Sequence, residues 1–370
     1  MRLIPIMVAG LAVAGAGCSG DSATGVGGVP VSFDAARTQE DIQAVNRVFG
    51  SDVWQSFQAF GHSVTSAPAS ASGAAAAGLA VENLARLAPS EARRAAVDLT
   101  RLILSQAGGR VSASRVPRIP PGIRGTTFVL DPETRQYVPD PDRTGAPPNG
   151  LRFILYAVNP FTGEPVVTAE IGHADLTDEG DSLPDAVALR LRIVSEGTTF
   201  LDYTVQAGGS ETGGALSVAG FVRDRETRLE FDIAVTTKSD PNGESADVSF
   251  HLMIPQRRFA ADGTVAHVNG QTGQADRIEL AVRVGEDTIG FTATQTETAV
   301  DATFTVNGRV FATLTGDPMN PEVLGADGRK LTREEARALN DIASLTDTVF
   351  RLLGQLLQPA SSILGLGMMP

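Results

Sequence analysis

The stretch Leu229-Glu230-Phe231-Asp232-Ile233-Ala234-Val235 places an apolar side chain at every second position. A period of two is typical of a β-strand that buries one face and exposes the other. The same alternation recurs at residues 189–193, 278–284 and 300–306, and turn-forming residues such as Asn307-Gly308 separate these stretches. Residues 126–322 are therefore predicted to form an antiparallel meander of roughly a dozen strands.

Helical patterns flank the strands on both sides. Thr332-Arg333-Glu334-Glu335 is a capping box that opens a predicted helix over residues 331–358, and its apolar residues cover more than half of the circumference. Residues 33–107 form a second helical region with an Ala/Ser-rich loop at 62–78, and a proline-rich linker follows at 108–125.

A sheet of this size with one apolar face must close, curl or be covered. The predicted fold class is therefore α+β, with a curved sheet or half-barrel packed against the N-terminal and C-terminal helices. Separate small helical and sheet domains are the alternative. The apolar tail, residues 359–370, is a candidate partner-binding segment because of its stretch from Ile363 to Met369.

Composition excludes several classes of protein. The chain has 370 residues, and 42% of them are hydrophobic, enough for a core that needs no disulfide or metal. Its net charge of −13 argues against nucleic acid as a partner. A single cysteine excludes an intrachain disulfide and a multi-cysteine metal centre.

The N-terminus has the layout of a signal peptide over residues 1–17: a positive Arg2, a short apolar run and small residues. Gly15-Ala16-Gly17-Cys18 resembles the lipobox of bacterial lipoproteins, although Gly15 stands where that family usually has an aliphatic residue. The resemblance implies that the Cys18 thiol is acylated and that residues 18–32 form a lipidated, flexible tether. Ser19 after the cysteine resembles the type of lipoprotein that is sorted to the outer membrane. A plain secretory peptide is the alternative.

Few residues suggest chemistry, and an enzyme is not expected. The chain has no Gly-x-Ser-x-Gly elbow and no phosphate-binding loop, so no catalytic residue or cofactor is predicted. Its four histidines form no metal-binding spacing; they are His62 in the Ala/Ser-rich loop, His173, His251 and His267. A predicted interstrand loop contains weak calcium candidates, which are Asp175, Asp178, Glu179 and Asp181, with Asp185 nearby.

These features predict a lipid-anchored protein of the bacterial cell envelope, at the periplasmic or the surface face of the outer membrane. Its role would be structural or partner-binding. The alternative is a periplasmic carrier of a hydrophobic ligand, because the predicted architecture, without any shared motif, is similar to the half-open barrels of lipoprotein-localisation carriers. A carrier should have an apolar cavity of several hundred cubic ångströms between sheet and helices. An envelope hydrolase is a third, weaker hypothesis.

Overall fold

A computed structural model of the chain describes most of the predicted elements. The described residues are 31–65, 119–180, 187–210, 213–240, 243–270, 273–296, 298–317 and 320–366. The predicted signal peptide, most of the tether, residues 66–107 of the predicted helical region and linker residues 108–118 lie outside them.

The described strands form one 15-stranded sheet, which confirms the predicted α+β class and the antiparallel meander. From β3 to β15 each strand pairs with the next one in the chain. The strands are β1 (Thr126–Leu130), β2 (Tyr137–Pro139), β3 (Gly150–Val158), β4 (Pro165–Asp178), β5 (Val187–Ser195), β6 (Thr198–Ser210), β7 (Gly213–Arg223), β8 (Arg228–Asp240), β9 (Gly243–Ile254), β10 (Phe259–Gly270), β11 (Gly273–Val284), β12 (Asp287–Thr296), β13 (Val300–Val306), β14 (Arg309–Asp317) and β15 (Asn320–Gly325). The described helices are α1 (Ala35–Val48), α2 (Asp52–Thr65) and α3 (Arg333–Leu366).

The sheet departs from a pure meander at its start. Strand β1 pairs parallel with β3, from Thr126 opposite Leu151, and antiparallel with β2. The two edge strands, β2 and β15, are short and contain Pro139 and Pro321. A proline cannot donate a ladder hydrogen bond, so both edges are poor templates for pairing with another chain.

Local turn chemistry accounts for the tight hairpins. Asn307 and Gly308 have φ values of 50° and 77°, as a two-residue hairpin turn requires. Two consecutive glycines do not end a strand here: Gly208 and Gly209 lie inside β6 and pair with Ala215 and Gly214. The β6–β7 ladder continues beyond them because glycine is compatible with extended backbone as well as with turns.

The described helices pack against one face of the curved sheet, and the helices and the sheet share a single core. The Phe57 ring lies 6.4 Å from the Tyr203 ring, and Phe60 lies 5.0 Å from Phe153. The Tyr203 hydroxyl donates a 2.7 Å hydrogen bond to the Leu356 carbonyl. The described residues therefore do not form separate helical and sheet domains. Helix α3 contributes Leu339, Ile342, Leu345, Val349, Phe350, Leu352, Leu353, Leu356 and Leu357 to this core.

Two helices extend beyond their predicted ends. Helix α3 continues through Pro359 to Leu366, so the first eight residues of the predicted tail are helical. A proline inside a helix removes one N–H donor, but the residues on both sides remain helical here. Helix α2 continues through Thr65, so His62 is helical instead of lying in a loop. The remaining tail residues, 367–370, are outside the described part of the chain.

The capping box of α3 is confirmed. The Thr332 N–H donates to the Glu335 side chain at 2.8 Å, and the Glu335 N–H donates to the Thr332 hydroxyl at 3.2 Å. Arg329 adds a two-pronged ion pair to the same carboxylate, at 2.7 and 2.8 Å. These partners, Arg329 foremost, lower the pKa of Glu335 from 4.5 to about 2.

We expect Glu335→Gln to lower the free energy of unfolding by about 1 kcal/mol at neutral pH. The folded pKa of Glu335 is depressed, so its contribution is present above pH 4.5 and is lost as the pH falls to about 2. The wild type should therefore lose more stability than Glu335→Gln over this interval, as measured by urea unfolding. Glu334→Gln, which removes an exposed neighbouring carboxylate, controls for the loss of a charge. Parallel pH profiles for wild type and Glu335→Gln would contradict the assignment.

Candidate functional site

The space between the sheet and the described helices is filled by side chains. Trp54, Phe57 and Phe60 of α2 are each at most 2% exposed. A gap between α2 and the sheet, lined by residues including Trp54, Ile193 and Leu201, is too narrow to admit a water molecule. The described contact between α2 and the sheet therefore leaves no room for a lipid.

The outer face of the sheet, defined as the face away from the helices, carries a buried carboxylate. Asp175 is 5% exposed, and its two oxygens accept hydrogen bonds from Arg152 at 2.7 and 2.9 Å. Arg192 and His173 lie 3.6 Å from the same carboxylate. Partial burial lowers the pKa of His173 although Asp175 opposes this effect. Four neighbouring strand positions thus form one compact ion-pair network.

This network changes the interpretation of the calcium candidates. Asp175 and Asp178 lie in β4 and not in a loop, and Asp178 pairs with Arg124 at 3.4 Å. Glu179 accepts a 2.8 Å hydrogen bond from Thr177. The oxygens of these carboxylates accept hydrogen bonds from protein side chains. For Asp175 the donor is Arg152, which the strand register places directly opposite it. Asp181 and Asp185 lie outside the described residues, within which no group of His, Cys, Asp or Glu is arranged to hold a metal ion.

Two histidines form cross-strand pairs with aspartates. His251 Nδ1 lies 2.6 Å from Asp262 Oδ1 on the outer face, and Arg283 contacts the same aspartate at 3.1 Å. His267 lies in β10, and its Nδ1 is 2.6 Å from Asp276 Oδ1 of β11. A His–Asp pair can orient an imidazole for proton transfer. Here each pair joins directly opposed residues of neighbouring strands and so links those strands.

A cluster of charges joins α1 to one end of the sheet. Arg257, in the β9–β10 turn, pairs with both Glu40 and Asp41 of α1. Asp41 is only 2% exposed, while Glu40 is exposed and the Arg257 guanidinium lowers its pKa. A polar recess of about 570 Å³ lies beside these residues. Arg37 covers the β11–β12 turn so closely that a Cβ on Gly285 would lie 2.9 Å from its guanidinium. These contacts anchor the start of α1 at the strand turns.

The β3–β4 hairpin presents an aromatic side chain to solvent. Phe161 is 96% exposed, in contrast to the buried phenylalanines of the core. The tip is well ordered by its own hydrogen bonds: Asn159 Oδ1 accepts from the Phe161 N–H at 2.9 Å, and the Asn159 carbonyl accepts from the Gly163 N–H at 2.8 Å. Gly163 supplies the positive φ of 72° that closes the turn. The hairpin therefore holds Phe161 at its tip.

The described turns at the end of the sheet that carries Phe161 contain charges of both signs. They are the β1–β2, β3–β4, β5–β6, β7–β8, β9–β10, β11–β12 and β13–β14 turns, since β1 runs parallel to β3. With one strand residue on either side, these turns contain seven arginines, which are Arg135, Arg223, Arg225, Arg228, Arg257, Arg258 and Arg309. They also contain eight carboxylates, which are Asp131, Glu133, Glu164, Glu196, Asp224, Glu226, Glu286 and Asp287. The charges of these turns are therefore nearly balanced.

The comparisons with known proteins identify no relative. No family model, curated protein or solved structure matches the chain. Among the described helices, none is both long and apolar enough to cross a membrane. The function of this protein must therefore be inferred from its own residues.

The sequence-predicted site residues do not meet at one place. Cys18 lies outside the described residues, and Asp175, His251 and His267 belong to separate ion pairs. Sequence reasoning missed the exposed Phe161, although a phenylalanine in an Asn-Pro-x-x-Gly turn is a usable signal. It also missed the pairing of Arg152 with Asp175, which depends on strand register and has no local signature.

Proposed function

We propose that this protein is a lipid-anchored component of the bacterial cell envelope, held at the outer membrane, with a non-enzymatic structural or partner-binding role. One observation carries the proposal: Cys18, the only cysteine of the chain, directly follows the small residues Gly15-Ala16-Gly17 and an apolar run that begins after Arg2. Acyl chains on one cysteine contribute about 0.8 kcal/mol per buried methylene, so several chains together provide stable anchoring.

The close packing of α2 against the sheet supports a role carried out by the surface. A carrier must hold its ligand in a concave apolar site, whereas Trp54, Phe57 and Phe60 occupy the described space between helix and sheet. The arginines on the outer face near β3–β6 are paired with carboxylates, Arg152 with Asp175 and Arg190 with Asp202. These observations favour the structural or partner-binding role over the carrier role.

The Cys18→Ser variant tests the anchor. In a bacterial host fed with labelled palmitate, the wild-type protein should incorporate the label and sediment with membranes. Cys18→Ser should lose the label completely and appear in the soluble periplasmic fraction, because serine has no thiol to accept the lipid.

A second variant controls for the mere presence of a thiol. Cys18→Ser combined with Ser22→Cys restores one cysteine four residues downstream, away from the small residues that resemble a lipobox. This protein should remain unlabelled and soluble. Label on Cys18→Ser, or an unlabelled and soluble wild type, would refute lipid anchoring.

A further inference from the structure

We infer that a recess on the outer face of the sheet binds a neutral, linear saccharide. The recess lies over β5, β6 and β7 and has a volume of about 460 Å³, within the range of roughly 300–1,000 Å³ that is typical of small-molecule sites. The inference rests on the proposed function in one respect, since it names the class of partner for the partner-binding role. The larger side chains that line the recess are Glu179, Arg190, Asp202, Thr204, Gln206 and Phe221.

Small side chains form the floor of this recess. Thr204 of β6 lies directly opposite Ala219 of β7, and Ala188 of β5 lies one strand away on the same face. The longer side chains of Arg190 and Phe221 stand on either side of the floor, on β5 and β7. The depth of the recess therefore depends on the short side chains between them.

Arg190 presents hydrogen-bond donors in a fixed orientation. Its Nε and Nη2 atoms each donate a 2.7 Å hydrogen bond to one oxygen of Asp202. A guanidinium has five N–H donors, so three are not used by this pair. The side chain of Arg190 is 47% exposed, which leaves these donors accessible. Within the described residues, the Thr204 hydroxyl and the Gln206 amide make no hydrogen bond and can also serve a ligand.

Phe221 adds an apolar ring beside these polar groups. It lies directly opposite Asp202, and the Arg228 guanidinium stacks 3.8 Å from the centroid of its ring. Arg228 is held in turn by Glu230 at 3.1 Å. Because the ring is already positioned, packing a ligand against its remaining surface requires little further ordering. A sugar ring combines C–H groups, which pack on an aromatic side chain, with hydroxyl groups, which bind guanidinium, carboxylate and amide groups.

The charges of the recess favour a neutral ligand. Glu179 and Asp202 outnumber Arg190, and the whole chain has a net charge of −13, so an anion such as a phosphate is repelled. A cationic ligand would meet the exposed guanidinium of Arg190. A lipid chain would leave these polar groups without hydrogen bonds, which is costly. Uncharged hydroxyl groups meet neither obstacle.

A row of small side chains continues from the recess across the outer face. The strand register places Ser217, Ala234, Ser249 and Thr264 side by side, starting next to Gln206. Neighbouring strands lie about 4.8 Å apart, so this row is about 14 Å long. It offers space for further sugar units of a ligand that begins in the recess. The geometry therefore suits a linear oligosaccharide better than a single sugar.

The test measures saccharide binding to the full-length protein by isothermal titration calorimetry, in a detergent without a sugar headgroup. The probes are chitotriose, cellotriose and maltotriose, each compared with its monosaccharide. Ala219→Leu fills the floor of the recess. Ala281→Leu makes the same change on the outer face of β11 and is the matched control. Both alanines are at least partly exposed, so both variants should fold, as circular dichroism checks.

We expect at least one trisaccharide to bind saturably, and about tenfold more tightly than its monosaccharide. Ala219→Leu should weaken this binding by about tenfold or more, because its side chain occupies the space of a sugar ring. Gln206→Ala should weaken it several-fold, whereas Ala281→Leu should bind like the wild type. The inference is overturned if no trisaccharide binds, if the monosaccharide binds equally well, or if Ala219→Leu and Ala281→Leu have the same affinity.

Failure of the proposed anchor gives a separate result. The recess does not involve Cys18, so Cys18→Ser should bind the trisaccharide with wild-type affinity. Saccharide binding by a wild-type protein that takes up no palmitate would refute the anchor and support the recess. A palmitate-labelled protein that binds no trisaccharide would refute the recess alone.

Discussion

Replacing Phe57 by alanine should lower the free energy of unfolding by about 3–5 kcal/mol. Phe57 is 1% exposed, and its ring lies 5.1 Å from the Trp54 ring and 6.4 Å from the Tyr203 ring. It therefore contacts both its own helix and strand β6. Alanine would leave a cavity at this junction, because the surrounding side chains belong to separate elements and can collapse only partly.

The measurement can use the protein's own fluorescence. Trp54 is the only tryptophan and lies next to Phe57, so urea unfolding followed by its emission reports directly on the helix–sheet junction. Far-ultraviolet circular dichroism reports on the strands in the same samples. Because helices and sheet share one core, the two signals should change in a single coincident transition.

Phe161→Ala provides a control for the Phe57 substitution. It removes the same side chain from a position that is 96% exposed, so stability should change by less than about 0.5 kcal/mol. Equal losses for the two variants would contradict the burial described here. Two separate transitions would show that helices and sheet unfold as independent units.

Replacing Asp175 by alanine should lower the free energy of unfolding by about 3 kcal/mol. The substitution leaves Arg152, whose side chain is 20% exposed, without its two-pronged carboxylate partner, and Arg192 loses a neighbour at 3.6 Å. Removing one member of a buried ion pair is costly because the remaining charge is poorly hydrated. Urea unfolding at neutral pH measures the loss.

Glu164→Ala is the surface counterpart of this substitution. Glu164 pairs with Arg135 in a similar two-pronged geometry, but the side chains are 48% and 66% exposed, so the loss should stay below about 1 kcal/mol. The Arg152→Met/Asp175→Leu double variant should recover part of the stability, since apolar side chains can replace a buried ion pair. If Asp175→Ala cost no more than Glu164→Ala, the network would be hydrated and structurally unimportant.

Local patterns predicted much of the fold. The alternation of apolar and polar residues identified β5, β8, β11 and β13, because each of these strands buries one face. A register shift of one residue would move every apolar side chain of such a strand to the solvent face. The capping box placed the start of α3 within two residues, since its hydrogen bonds connect neighbours in the chain. The parallel pairing of β1 with β3 was not predicted, because nothing local in residues 126–130 specifies which strand they join.

The candidate sites were harder to predict because they depend on register. Asp175 was interpreted as a calcium candidate from the carboxylates that follow it, but β3 places Arg152 directly opposite it. His267 lies opposite Asp276 for the same reason. Such pairs join residues that are up to 23 positions apart in the chain, and a one-residue shift of either strand would separate them.

The sequence by itself determined the strands and the cap of α3, because each follows from residues close together in the chain. Composition alone fixed the net charge and the single cysteine. Tertiary structure alone decided that helices and sheet share one core, that Asp175 is enclosed by arginines, and that Phe161 lies at the same end as seven arginines and eight carboxylates of the turns. The physical reason is the meander: it brings every second turn to one end of the sheet, so residues distant in sequence form a common surface there.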